Sequence, residues 1–172
     1  LLTRGLAATG GLPEGYDVEP DYQRFVSFYS ENIAGGSEVF PGLVPLLERL
    51  KAEGFGLGVC TNKLEGLSVQ LLDALDLSRY FGSVIGPDTL GIAKPDPRPF
   101  REAVERLGLV APRAVMVGDS ETDILTARNA GVPVIAVPFG YTPRPVQEFG
   151  PDRMISHFDQ AYDAIQDLFA LA

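Results

Sequence analysis

The sequence is poor in the residues that build cross-links and membrane spans. It has a single cysteine, Cys60, and therefore no internal disulfide. Cys60 lies in an apolar run, which favours a buried, unreactive thiol. No hydrophobic run approaches the roughly 20 residues that a membrane-spanning helix needs, and the first residues lack the basic and apolar regions of a secretion signal. These absences predict a cytoplasmic protein with no membrane partner.

Positive charge is also scarce. Lys and Arg number 14 against 23 Asp and Glu, for a formal net charge of −9. Because phosphate neutralisation supplies most of the affinity of proteins for nucleic acid, this balance argues against a nucleic-acid partner. It leaves room for a small phosphorylated metabolite, which needs only a local positive site. The chain does not begin with Met, which favours a start inside a longer chain.

From Phe40 onward, short apolar segments alternate with amphipathic ones. The pattern predicts strands at residues 55–60, 83–85, 114–117, 132–137 and 154–156, and helices at 41–53, 65–75, 97–107 and 120–130, with one more after Asp159. This alternation is typical of the α/β class with a doubly wound, Rossmann-like parallel sheet. Residues 1–36 differ from the rest, with Gly- and Pro-containing turns around an apolar helical face. Asp21 could cap the helix that carries this face. We therefore expect residues 1–36 to form a separate domain from residues 37–172.

The most informative segment runs from Ala114 to Asp123. Its apolar residues predict a buried strand, and Asp119 follows at the carboxyl end, where ligands bind in open α/β sheets. Asp119 and Asp123 together suit a hard cation such as Mg²⁺. A capping box of Ser120 and Asp123 explains the pattern about equally well. Capping does not account for a carboxylate on the strand tip, so Asp119 is the stronger metal candidate.

Two further segments follow predicted strands. Thr61 and Asn62 come directly after the strand at 55–60, where a hydroxyl, an amide and backbone N–H groups can hold an anion. Taken alone, they are better explained as a helix cap. Lys94 precedes a proline in a loop and could neutralise phosphoryl charge, although an isolated Lys-Pro is more often an exposed loop lysine. Residues 140–145 fit an ordinary loop better than the rim of a cleft.

Taken together, the order Thr-Asn, Lys-Pro and Gly-Asp-Ser-x-x-Asp resembles the haloacid dehalogenase superfamily of phosphatases. Residues 40–42, 59–63, 80–81 and 85–86 look specifically like the phosphoglycolate phosphatase branch. The resemblance covers about residues 25–168. It implies that residues 37–172 form the α/β core of the family and that residues 1–36 form the C-terminal half of a small helical cap.

The resemblance implies a Mg²⁺-dependent phosphomonoester hydrolase that works through an aspartyl-phosphate. Thr61, with Asn62 beside it, would contact the transferring phosphoryl group, and Lys94 would stabilise charge on the nucleophile and the phosphate. Asp119 would be a Mg²⁺ ligand, and Asp123 a second ligand or a partner through water. These assignments suit phosphoryl transfer, which needs charge neutralisation and in-line positioning.

One part of the family's pattern is absent. Its first motif is an apolar strand ending in Asp-x-Asp, whose first Asp is the nucleophile, and no Asp-x-Asp occurs in this sequence. In the family that strand lies between those corresponding to residues 55–60 and 114–117. The expectation is therefore a core that lacks its first strand, has open sheet edges prone to self-association, and has no phosphatase activity as it stands.

Other functions stay open. The first is a catalytically inactive fragment or pseudo-enzyme. The second is another enzyme on the same scaffold, either a phosphomutase or a haloacid dehalogenase. A dehalogenase needs no Mg²⁺, so the pair Asp119 and Asp123 argues against it. The third is a phosphate-responsive binding domain.

Overall fold

The structure is a computed structural model that describes residues 10–11, 15–110, 113–140 and 142–170. The chain divides into two compact units, residues 1–37 and 38–172. In the first unit the described residues include one helix, α1, at Glu19–Glu31. The predicted cap at Asp21 is wrong, because α1 begins two residues earlier and Asp21 lies in its first turn. The assignment of this unit to half of a helical cap stays a prediction.

The second unit alternates helices and strands, as the sequence predicts. Its helices are α2 Leu43–Ala52, α3 Glu65–Ala74, α4 Pro87–Leu90, α5 Arg98–Arg106, α6 Glu121–Ala130 and α7 Ala161–Ala170. Its strands are β1 Gly58–Cys60, β2 Ser83–Ile85, β3 Met116–Gly118, β4 Val134–Ala136 and β5 Arg153–Met154. Most strands are shorter than predicted, because the apolar runs extend beyond the residues that pair in the ladders.

The strands form two parallel sheets. β1 pairs with β2, and β4 lies between β3 and β5. This confirms the predicted α/β fold with parallel strands. Cys60 at the end of β1 packs against the core cluster that contains Met116 of β3, so the two sheets adjoin.

The core lies on both faces of β4. Ile135 packs into one cluster with Leu50 of α2 and Ile165 of α7. Its neighbour Val134 packs into a second cluster with Phe100 and other residues of α5 and α6. Successive side chains of a strand point to opposite faces, so β4 is covered by helices on both sides. This explains why residues 132–137 are a continuous apolar run rather than an alternating one.

Within the described residues, β1 and β3 each have a strand neighbour on one side only. Within that part of the chain, each of these two strands therefore has one open edge. Val117, the middle residue of β3, is 42% exposed. In the same part of the chain, no helix is long and apolar enough to span a membrane.

We expect the 172-residue chain to self-associate, because an open strand edge offers unpaired backbone groups to another chain. Val117→Lys should reduce this association, since a charged side chain on an edge strand opposes pairing. The matched control is Val110→Lys, which changes a residue that is 63% exposed and lies outside the strands. Sedimentation velocity over a range of concentrations measures the effect. A wild-type chain that stays monomeric throughout would contradict the prediction.

Candidate active site

Thr61 lies immediately after β1, and its backbone continues the ladder by donating to the carbonyl oxygen of Ile85 at 3.0 Å. Its hydroxyl oxygen accepts from the N–H of Lys63 at 3.1 Å. A hydroxyl carries one donor hydrogen beside its lone pairs, so this bond leaves the Thr61 O–H able to donate to an anion.

Helix capping does not explain Thr61 and Asn62. The N-cap residue of α3 is Leu64, whose side chain makes no capping bond. The first N–H of the helix, at Glu65, instead donates to Asp88 Oδ1 at 2.8 Å. The capping interpretation, which the sequence alone favours, is therefore wrong at both residues.

The loop between α4 and α5 brings Lys94 against Asp123 of α6. Lys94 Nζ lies 2.6 Å from Asp123 Oδ1, and the two side chains are only 10% and 6% exposed. The interpretation of Lys94 as an exposed loop lysine is thus wrong. Asn62 contacts the same loop: its Oδ1 accepts from the N–H of Lys94 at 2.8 Å, and its Nδ2 donates to the carbonyl oxygen of Lys94 at 3.1 Å.

Asp123 accepts hydrogen bonds at both carboxylate oxygens. While Oδ1 faces Lys94, Oδ2 accepts from the N–H of Asp119 at 3.1 Å and from the N–H and hydroxyl of Ser120 at 3.2 and 2.7 Å. The Ser120 hydroxyl also accepts from the N–H of Asp123, which completes the predicted capping box. These bonds assign Asp123 a part in holding Lys94 and in the capping box, with three of these four donors on Oδ2.

The charge on Asp123 is well supported. Burial alone would raise the pKa of this carboxyl. The Lys94 ammonium and the hydrogen bonds from Lys94, Ser120 and the Asp119 N–H outweigh burial and lower the pKa below its ordinary value. The ion pair therefore fixes the position of Lys94 Nζ beside Asp123.

Two glycines shape the surroundings of Asp119. A Cβ on Gly140, in the loop after β4, would overlap the Asp119 carboxylate, and a Cβ on Gly118 would overlap Asp123. The prediction of an ordinary loop at residues 140–145 is therefore incomplete, since Gly140 packs directly on the site. Its position after the carboxyl end of a strand beside β3 is the sequence signal that could have revealed this.

Among the described residues, Asp119 is the carboxylate that would hold a Mg²⁺ ion. Asp119 projects from the tip of β3, and its side chain takes no part in the capping box. No group of three or more His, Cys, Asp or Glu side chains lies together in this part of the chain. Mg²⁺ commonly keeps several waters and binds through one or two carboxylates plus substrate phosphate, so Asp119 fits as one such ligand.

Cys60 lies beside this site but has an unreactive thiol. Burial raises the pKa of this thiol from an ordinary value of 9.0 to about 11, against the opposing effect of the Lys94 ammonium. At neutral pH the folded chain should thus hold about a hundredfold less thiolate than the unfolded chain. We expect alkylation by iodoacetamide at pH 8 to be slower by about that factor in buffer than in urea. Equal rates, followed by mass spectrometry, would contradict this expectation.

Comparison with known proteins gives consistent results. A family model described as haloacid dehalogenase-like hydrolase matches residues 10–137. Phosphoglycolate phosphatases from Mesorhizobium japonicum and Caulobacter vibrioides are each 49% identical, over 78% and 92% of this chain. The chain spans 60% and 67% of the lengths of these two relatives.

Solved structures agree. A predicted phosphoglycolate phosphatase from Haemophilus somnus superposes with a TM-score of 0.82 at 31% identity, covering 92% of this chain and 70% of that one. CbbY from Rhodobacter sphaeroides in complex with phosphate superposes with a TM-score of 0.79 at 26% identity, covering 96% of this chain and 75% of that one.

Proposed function

The chain belongs to the haloacid dehalogenase-like hydrolase family, and from that premise we propose that it carries the phosphate-binding and metal-binding part of a phosphatase of phosphoglycolate phosphatase type. The observation that carries the proposal is the buried pair of Lys94 and Asp123, set between Thr61 after β1 and Asp119 after β3. A fixed ammonium, a hydroxyl donor and a strand-tip carboxylate are the groups that a phosphoryl-transfer site needs.

Each residue has a role in the proposed reaction. Thr61 donates its O–H to a phosphoryl oxygen, and Lys94 neutralises charge that develops on the phosphoryl group. Asp119 binds Mg²⁺, which when bound supplies further charge neutralisation and orients the substrate. Asp123 holds Lys94 in place through their ion pair. The low exposure of Lys94 strengthens the attraction between its ammonium and a phosphoryl oxygen, because the surroundings are less polarisable than water.

The proposed substrate is a small phosphomonoester, with 2-phosphoglycolate as the first to test. The names of the relatives from Mesorhizobium japonicum and Caulobacter vibrioides support this choice. The net charge of −9 supports a metabolite over nucleic acid, since a metabolite needs only the local charge of Lys94. A cytoplasmic location and the lack of a membrane partner belong to the same proposal.

The 172 residues contain no Asp-x-Asp, and we propose that they do not form the aspartyl-phosphate by themselves. A covalent mechanism needs a nucleophile held in line with the phosphoryl group. The groups present would bind phosphate, but they would not carry out its transfer in two steps, through formation and then hydrolysis of a covalent intermediate. The open edges of β1 and β3 are where a strand bearing such a nucleophile would fit.

The test compares two chains: the 172 residues alone, and a chain extended upstream by roughly 50 residues, about one strand and half a small helical cap. Both are assayed with Mg²⁺ on 2-phosphoglycolate and on an aryl phosphate. We expect turnover only from the extended chain. Turnover by the short chain, with its mass confirmed, would show that another group acts as the nucleophile. Turnover of chloroacetate by the extended chain, with none of either phosphate, would favour the dehalogenase alternative.

A further inference from the structure

We infer that Asn62 is a positioning residue for Lys94 and does not bind phosphate through its side chain. The sequence pattern assigns Asn62 a catalytic and phosphate-binding role beside Thr61. The structure instead joins its amide to the backbone of Lys94, 32 positions further along the chain. The part of this inference that concerns phosphate rests on the proposed function, whereas the part that concerns Lys94 does not.

The two hydrogen bonds between Asn62 and Lys94 run in opposite directions. The carbonyl end of the Asn62 amide accepts from the N–H of Lys94 at 2.8 Å, and the amino end donates to the carbonyl oxygen of Lys94 at 3.1 Å. One bond alone would allow the Lys94 backbone to rotate about it. Two bonds to one residue fix its position and its orientation, in the manner of a hydrogen-bonded pair in a β-ladder.

A second asparagine holds the next residue of the same loop. Asn129 Nδ2 donates to the carbonyl oxygen of Pro95 at 3.0 Å. Asn129 belongs to α6, the helix that also carries Asp123. The Lys94 loop is therefore held by the end of β1 on one side and by α6 on the other, although β1 and β3 do not pair within the described residues.

This arrangement links the two halves of the site. Thr61 and Asn62 follow β1, whereas Asp119 and Asp123 follow β3. The loop that contains Lys94 contacts both pairs of residues. The Lys94 backbone is hydrogen-bonded to Asn62, and the Lys94 ammonium is paired with Asp123. Asn62 thereby sets where the Lys94 ammonium lies relative to Thr61, and its own amide is occupied in doing so.

Exposure makes the inference testable without disrupting the core. Asn62 and Asn129 are both exposed, so alanine at either position leaves no buried cavity. Lys94, in contrast, is 10% exposed on its side chain, and its protection depends on the loop staying in place. Loss of the two Asn62 bonds should appear as greater access of solvent reagents to the Lys94 amine.

The experiment measures reductive methylation of lysine with ¹³C-formaldehyde, resolved by peptide mapping of the 172-residue chain. The chain has three lysines, Lys51, Lys63 and Lys94, so each rate is read separately. Asn62→Ala should raise the rate at Lys94 about tenfold, the effect expected when two ordinary hydrogen bonds are lost. The rate at Lys51, which donates to the carbonyl oxygen of Arg79, should stay unchanged.

Two variants complete the design. Asn62→Asp keeps the acceptor for the N–H of Lys94 but loses the donor to its carbonyl oxygen, so it should give an intermediate rate. It also provides the measurement if the alanine variant does not fold. The matched control is Asn32→Ala, which removes an exposed asparagine that bonds to the backbone of Phe28 in the first unit. It should leave all three rates unchanged.

A second readout uses inorganic phosphate with Mg²⁺ as the probe, measured by calorimetry on the same variants. Faster labelling of Lys94 together with weaker phosphate binding in Asn62→Ala supports the inference. Weaker phosphate binding with unchanged labelling overturns it, because Asn62 would then contact the anion itself. Unchanged labelling and unchanged binding also overturn it. If Lys94→Ala binds phosphate like the wild type, the proposed function fails, and the labelling rates still decide the role of Asn62.

Discussion

Lys94→Ala is expected to lower kcat for 2-phosphoglycolate by about two to three orders of magnitude in the upstream-extended chain. This is the size of effect seen when a group that stabilises transition-state charge is removed. The same substitution should also destabilise the fold, by about 3–5 kcal/mol, because it leaves the Asp123 carboxylate buried without its partner. The sequence alone predicts the first effect and not the second, since a loop lysine contributes little to a core.

A double substitution separates these two effects. Lys94→Ala combined with Asp123→Asn removes the unpaired buried charge, so it should recover much of the lost free energy of unfolding. It should not recover turnover, because the ammonium is still absent. Urea unfolding and steady-state kinetics on the same preparations measure both. Full turnover in the single variant would show that Lys94 only stabilises the fold and that the site has been misplaced.

Asp119→Asn is expected to abolish Mg²⁺-dependent turnover in the extended chain while changing the free energy of unfolding little. The substitution removes a carboxylate from the metal and with it the direct stabilisation of phosphoryl charge. Asp123→Asn should reduce turnover less, because its hydrogen bonds to Lys94, Ser120 and the Asp119 N–H favour an indirect role.

The control for Asp119→Asn is the same substitution at Asp163, an exposed residue in the first turn of α7. Activity is measured over a titration of Mg²⁺ for all three variants. Retention of activity by Asp119→Asn at ordinary Mg²⁺ concentrations would contradict the assignment of Asp119 as a Mg²⁺ ligand.

The fold was largely predictable because its strands and helices have distinct hydrophobic periods. The apolar run at residues 132–137 predicted a strand, and the structure shows that its residues Ile135 and Val134 pack into different core clusters. Strand ends were less predictable, since an apolar residue next to a strand packs into the core whether or not it pairs. Leu57 shows this, because it packs in the core and precedes β1.

At the site, the sequence indicated which residues come together but not which bonds they make. Thr61, Lys94 and Asp119 were identified from strand ends and from the family's motifs. The contact of Asn62 with Lys94 was not predictable, because it joins residues 32 positions apart through a loop with no regular period. Gly140 was missed for the same reason: its importance depends on the approach of one loop to the Asp119 carboxylate.

The most direct test of the account measures binding of inorganic phosphate to the 172-residue chain by titration calorimetry, with and without Mg²⁺. No turnover is needed, so the result does not depend on the nucleophile. The account predicts binding that requires Mg²⁺, weakens at least tenfold in Thr61→Val and in Asp119→Asn, and is unchanged in Asp163→Asn. Phosphate binding that is independent of Mg²⁺, or that is the same in all three variants, would contradict the claim that Thr61 and Asp119 belong to one metal-dependent phosphate site.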